Sequence, residues 1–322
     1  MPPFQHLAIL LMLLPWMPTP AATPVGKPIR IAEDIDTGDR FMGIQLLGSL
    51  SLQGDPALAE LSGLAWDEDE QTLLAISDQG RILHLAPVFQ TGRLGQVNLL
   101  AWYPLKDNHG KPLRGSWRDA EGLTLENSNN GIQGDSRLII SFERHHRIER
   151  YLPDGTWQEP IALPHILNQP GFQPKNNRSL EAVTRHPQLG IITGPEYPPE
   201  GESHYLASVT GHVWRFHPKE ADGALVDLEA LPNGDLLLLE RAYTSLFAPW
   251  VISLTRIRAA DLAASNTPPT ELIVRLDSSK GWLVQNMEGL TRHQGKRFFM
   301  VSDDGNKPWA QTQLVYFSIV AE

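Results

Sequence analysis

Apolar residues along the chain come in short runs with a recurring grammar. One run opens on a small polar or acidic residue followed by Gly-Leu, Ala-Val or Ala-Leu, and after a turn a more apolar run closes on an acid. Leu61-Ser62-Gly63-Leu64 leads to Leu73-Leu74-Ala75-Ile76-Ser77-Asp78, and Ala120-Glu121-Gly122-Leu123 to Leu138-Ile139-Ile140-Ser141-Phe142-Glu143. Leu180-Glu181-Ala182-Val183 leads to Gly190 through Glu196, Leu228-Glu229-Ala230-Leu231 to Leu236 through Glu240, and Asn286-Met287-Glu288-Gly289-Leu290 to Phe298 through Asp304. Further runs with period-two alternation, such as 80–85, 147–151 and 211–216, supply outer strands. Strand pairs repeated in this way predict an all-β fold, a β-propeller of six blades with seven as the alternative.

Asp154-Gly155, Asn233-Gly234 and Gln294-Gly295 mark hairpin turns. Only Arg256 to Ala264 reads as a helix. The final apolar run, 313–320, has no partner after it and predicts pairing with the first blade in a closed ring.

Residues 1–22 are set apart by the apolar stretch Leu7 to Leu14, a Pro-rich stretch and the small-residue site Ala21-Ala22, a pattern that predicts a secretory signal peptide although the segment lacks Lys and Arg. A short extension, 23–42, and one propeller domain, 43–322, complete the expected organisation, with a periplasmic or secreted location. The chain has no cysteine, which excludes disulfides, thiolate metal sites and a site for lipid attachment. The formal net charge of −10 argues against a nucleic-acid partner. A monomer with no membrane anchor in the mature chain is expected.

Because inner strands of a propeller converge on its axis, equivalent residues form rings. Aligned units place Ser62, Glu121, Glu181, Glu229 and Glu288 at one level and Asp78, Glu143, Glu196, Glu240 and Asp303 at the next. Asp119 and Asn286 each stand two residues before a ring glutamate and so share its face. Asp304 follows Asp303. Crowded carboxylates repel unless protonated or neutralised, and oxygen-only ligands favour Ca²⁺, with Mg²⁺ or Mn²⁺ as alternatives. The expected metal ligands are Asp78, Asp119, Glu121, Glu143, Glu181, Glu196, Glu240, Asn286, Glu288, Asp303 and Asp304. Catalytic roles fall to Glu121, Glu181, Glu288 and Asp303. Arg144, Arg178, Arg241 and Lys307 are candidates for binding an anionic substrate. The competing reading is that each acid merely caps backbone amides or pairs with an arginine. Gly134-Asp135-Ser136 lacks the following helix of an esterase block, Arg185-His186-Pro187 lacks the rest of a phosphohistidine motif, and the adjacent His145 and His146 face opposite ways.

Taken together, Ser62-Gly63-Leu64 with Ser77-Asp78, Asp119-Ala120-Glu121-Gly122-Leu123 with Ser141-Phe142-Glu143, Asn177-Arg178-Ser179-Leu180-Glu181-Ala182, Leu239-Glu240-Arg241, and Asn286 to Leu290 with Ser302 to Asn306 resemble the esterase-like activity of phytase family, the phytase-like domain. The resemblance spans roughly 45–320. It implies a β-propeller, export, and a phosphoesterase role attributed to the recurrent Glu and Asp residues. Gly305 departs from the family's usual Asp-Asp-Asn run. The expected function is an exported metal-dependent phosphoric ester hydrolase acting on a small phosphate ester. The alternatives are a non-catalytic ligand- or protein-binding propeller with a structural metal, and a lactonase-like propeller hydrolase.

Overall fold

The computed structural model describes residues 22–169, 180–199, 202–243 and 248–320. Five antiparallel sheets follow one another along the chain as blades. Their inner strands are Leu61–Asp67, Ala120–Glu126, Leu180–His186, Gly223–Ala230 and Asn286–Arg292, and each packs beside the next in a closed ring. The molecule therefore has five blades, not six or seven. Val213–Phe216 is the outer strand of blade three, and the strands Gly26–Pro28, Ile44–Leu52 and Thr312–Ile319 all join blade five instead of building a sixth.

In blade five the C-terminal strand Thr312–Ile319 pairs along its whole length with Ile44–Leu52, and Gly26–Pro28 adds an outermost strand. The partner of the C-terminal strand thus comes from the start of the chain and lies in the last blade. Thr23–Pro24 pairs with the outer edge of blade one. The helix is shorter than the sequence predicts: Ala259–Ala264 is helical, whereas Arg256 and Ile257 finish the strand Val251–Ile257, held in register by Glu271 and Leu236. Apolar side chains fill the spaces between sheets, with Leu237, Leu254, Met300 and Phe317 among the buried residues between blades four and five.

The Gly of the repeated phrase has a steric cause. Each inner strand carries a register break opposite its partner, at Ser62-Gly63, Glu121-Gly122, Glu181, Val226 and Glu288. There the following inner strand comes very close. A Cβ on Gly63 would lie 2.7 Å from the Glu121 carbonyl oxygen, one on Gly122 2.6 Å from that of Glu181, and one on Gly289 2.6 Å from that of Ser62. Blade four has Asp227 at this position, and its carboxylate accepts the Leu290 N–H of blade five at 2.6 Å and the Leu228 N–H at 2.8 Å.

Gly122→Ala is accordingly expected to destabilise the protein by about 1–3 kcal/mol, because the new methyl must displace backbone. Gly95→Ala, whose Cβ would meet nothing closer than 3.6 Å, should stay within about 0.5 kcal/mol of the parent. Denaturant midpoints of the two variants check the contrast.

Candidate functional site

The acids gather at the end of the channel where the inner strands begin. Phe142 pairs with Ala120, Leu180 with Pro195, Leu61 with Ser77 and Asn286 with Asp303, so Glu121, Glu181, Ser62 and Glu288 stand at one level. Asp78, Glu143, Glu196 and Asp303 stand just beyond them. Ser62 donates its hydroxyl to Asp78. Ser141 fastens the site from behind, since its oxygen accepts the Gly122 N–H at 3.0 Å.

Blade four breaks the pattern by a register slip. Leu225 faces Glu240, which puts Val226 at the inner level and Arg241 at the outer one. Glu229 pairs with Leu237 near the opposite end of the strand, beside Arg292, and burial pushes its carboxyl up to about 8. Glu240 points away from the acids, accepting the Thr255 hydroxyl at 2.7 Å and the Lys219 N–H at 2.7 Å. These two glutamates leave the ring and an arginine enters it. Arg241 bonds Asn286 at 2.5 Å, Glu196 at 2.5 Å and Glu288, and its side chain is 13% exposed.

Asp304 is also turned aside. It accepts the N–H groups of Glu60 at 3.0 Å and Asn306 at 2.9 Å and the Thr312 hydroxyl at 3.2 Å, the amide-capping role of a turn. Gly305 and Asn306 both take positive φ, 54° and 50°, in that turn. Lys307 is exposed and folds over Gly305. Arg144 holds Asp119 at 2.6 Å. Arg178 and Asn177 lie outside the described residues, as does the segment Leu7 to Ala21.

Among the described residues, eight carboxyl groups (Asp78, Asp119, Glu121, Glu143, Glu181, Glu196, Glu288 and Asp303) meet two guanidinium groups, Arg144 and Arg241. Burial, reinforced by neighbouring acids, pushes Asp78, Glu121 and Glu181 well above the ordinary carboxyl range and raises Asp303. Glu143 and Glu288 are pushed up to about 8, in both cases chiefly by burial, with Arg241 opposing it at Glu288. Glu121 is 9% exposed and makes no hydrogen bond or ion pair with any described residue, so capping and arginine pairing do not account for it.

Asp119, Glu121 and Glu143 each bring an oxygen within 4.8 Å of the other two, and Glu143, Glu181 and Glu196 do likewise. Two ligands of one Ca²⁺ ion can stand no further apart than twice the metal–oxygen distance, about 4.6–5.2 Å. Both groups therefore suit a hard divalent cation.

A carboxyl that keeps its proton to about pH 8 in the fold, but ionises near 4.5 in the unfolded chain, contributes stability that is complete below 4.5 and lost as pH rises through 8. In chelator the thermal midpoint should fall between pH 5 and pH 9. Millimolar Ca²⁺ at pH 9 should restore it, because ionised carboxylates bind cations best. A midpoint that rises with pH in chelator would contradict this electrostatic picture.

Sequence reasoning missed two features. Trp117, on the loop before blade two and 53% exposed, stacks on His145 with ring centroids 3.8 Å apart. Its place two residues before Asp119 was the available signal. The second is a cavity of 530 Å³ at the opposite ends of the inner strands, among Trp66, Arg185, Glu229 and Arg292. It does not coincide with the carboxylates. His186 there is a buried turn residue bonded to the Gly234 carbonyl at 2.9 Å, and not part of a phosphohistidine site.

Fold and lining together define a five-bladed β-propeller whose channel ends in a ring of acids. The chain belongs to the Phytase-like family, described as esterase-like activity of phytase, whose model matches residues 56–306. Among solved structures, a gluconolactonase from Xanthomonas campestris is similar at 14% identity and a TM-score of 0.42, over 94% of this chain and 99% of that one. U3-55K is similar at 10% identity and a TM-score of 0.40, over 81% of this chain and 77% of that one. No curated protein sequence matches. Among the described residues, no helix is long and apolar enough to cross a membrane.

Proposed function

We propose that this protein is an exported, metal-dependent phosphoric ester hydrolase that takes a small anionic substrate at the acidic mouth of its channel. The observation that carries the proposal is Glu121: a buried, unpartnered carboxylate within ligand distance of Asp119 and Glu143. Oxygen-only donors favour Ca²⁺, with Mg²⁺ or Mn²⁺ as substitutes. Export rests on the apolar leader at 7–14 and the small-residue site after it.

A divalent cation bound by these carboxylates would supply Lewis-acid charge to a phosphoryl oxygen and acidify water. The chain's own groups do the rest. Arg144 spends its Nε on Asp119 and has further N–H donors for a phosphate oxygen. Arg241 is committed to Glu196, Asn286 and Glu288 and acts by positioning them. Water attacks phosphorus, the bond to the ester oxygen breaks, and the leaving oxygen takes a proton. Glu288, which holds its proton to about pH 8, is suited to give it. The proton lost by water leaves to solvent at the channel mouth, because Glu121 and Glu181 would be occupied as ligands of the cation.

The test is hydrolysis of aryl phosphate mono- and diesters by the full-length chain. Turnover should fall by about 10²-fold or more on chelation, the scale of losing one transition-state charge contact, and return with Ca²⁺, Mg²⁺ or Mn²⁺. Correctly folded protein that is inactive with all three ions would overturn the proposal. Chelation that lowers the melting temperature with no activity to lose would reassign the ion to structure, and turnover of a lactone alone would change the substrate class.

A further inference from the structure

The two carboxylate groups are not separate. Asp119, Glu121 and Glu143 form one triad, Glu143, Glu181 and Glu196 the other, and Glu143 belongs to both. We propose that the channel mouth holds two divalent cations side by side, with Glu143 as their shared ligand. This rests on the metal-dependent reading above and adds the number of ions, their ligand sets and the bridge between them. One ion sits against blade two, on Asp119 and Glu121. The other sits at the seam with blade three, on Glu181 and Glu196.

Three observations favour a pair over a single ion. No single group of mutually close ligand atoms contains all five acids, because the two triads overlap only at Glu143. A carboxylate has two oxygens, and bridging sites use one for each ion at a metal separation of about 3.5–4 Å. Charge gives the second reason. Among the described residues the eight carboxyl groups of the mouth meet two guanidinium groups, so with every acid ionised one divalent ion leaves four negative charges over and two ions leave two. The third is Glu121. It is nine-tenths buried, without a partner among the described residues, and surrounded by Asp78, Glu143, Glu181 and Glu288, all of its own sign. A carboxylate crowded by acids of its own sign calls for a cation, and an ion centred on Glu181 and Glu196 alone would leave it unneutralised. In a paired site the cations can hold the attacking and leaving oxygens of one displacement at once.

Mn²⁺ is the probe. Chelator-stripped full-length protein is dialysed against Mn²⁺, bound metal is counted per chain, and the bound ions are examined by electron paramagnetic resonance. Two ions per chain with a spin-coupled spectrum are expected. Glu181→Gln should leave one ion with an uncoupled spectrum. Glu143→Gln should abolish coupling and drop the count to one or none, and thermal midpoints in chelator establish that both variants fold. Saturation at one ion per chain would overturn the pair, as would a spectrum that Glu143→Gln leaves unchanged. Aryl phosphate hydrolysis is read on the same samples. One ion with turnover removes the pair and leaves the hydrolase standing; two coupled ions without turnover do the reverse.

Discussion

Arg241→Met is expected to cost the metal-free protein about 3–5 kcal/mol at pH 8, because it strips the counter-charge from Glu196 and Glu288, whose side chains are only 9% and 15% exposed. The guanidinium bonds Glu196, Asn286 and Glu288 from a blade that contributes no acid of its own to the ring. Methionine fills similar volume, so the loss reports charge more than packing. At pH 5 the deficit should shrink, since Glu288, pushed up to about 8 by burial, is then fully protonated and no longer depends on the charge of the guanidinium. Arg241→Lys should recover only part of it, as an ammonium cannot fork between Glu196 on one side and Glu288 on the other. Denaturant unfolding at the two pH values measures this. A deficit equal at pH 5 and pH 8 would mean that packing, and not charge, is what Arg241 supplies.

Glu121→Gln should move stability and function in opposite directions. The amide removes one ionisable group from a cluster of like charges, so the metal-free protein should gain about 0.5–2 kcal/mol, a gain typical of relieving a strained functional site. Cation affinity should fall by about 10–100-fold, the scale seen when metal-site partners are removed, and phosphate-ester turnover with it. Thermal unfolding in chelator and a Ca²⁺ titration of the same preparation check both halves. If Glu121→Gln destabilises the metal-free protein, Glu121 has a structural partner and the functional assignment fails.

The repeated Glu-Gly-Leu and Ser-Gly-Leu phrases made the propeller legible, because at three of the five seams, at Gly63, Gly122 and Gly289, the closest approach of two inner strands leaves no room for a Cβ. Blade count was harder to read. Outer strands share no motif, and neither the place of Val213–Phe216 nor the union of Ile44–Leu52 with Thr312–Ile319 in one blade has a local signal. The acids of blades one, two, three and five could be placed because their register breaks fall within the motif itself. Blade four misled for a physical reason. Its equivalent segment is Leu225-Val226-Asp227-Leu228, in which Asp227 replaces the small residue and bonds across the seam. Three residues later, Leu228-Glu229-Ala230 imitates Leu180-Glu181-Ala182 and draws the alignment of the repeat onto itself. The pairing of Arg241 with three partners on two other blades is a product of closure and has no trace in local sequence.

The backbone of blade five makes the molecule a circle with one nick, held shut by the ladder between Ile44–Leu52 and Thr312–Ile319. When that ladder zips, the inner strands of blades five and one come together, and with them Asp78 on one side and Glu288 and Asp303 on the other, each making ionisation of Asp78 harder. Like charges thus oppose the last join. The apolar register of Leu50 and Leu314, and of Leu46 and Phe317, works against an electrostatic spring, and protons or cations arriving at the mouth relax it. Neutralising the acids therefore favours closing the circle.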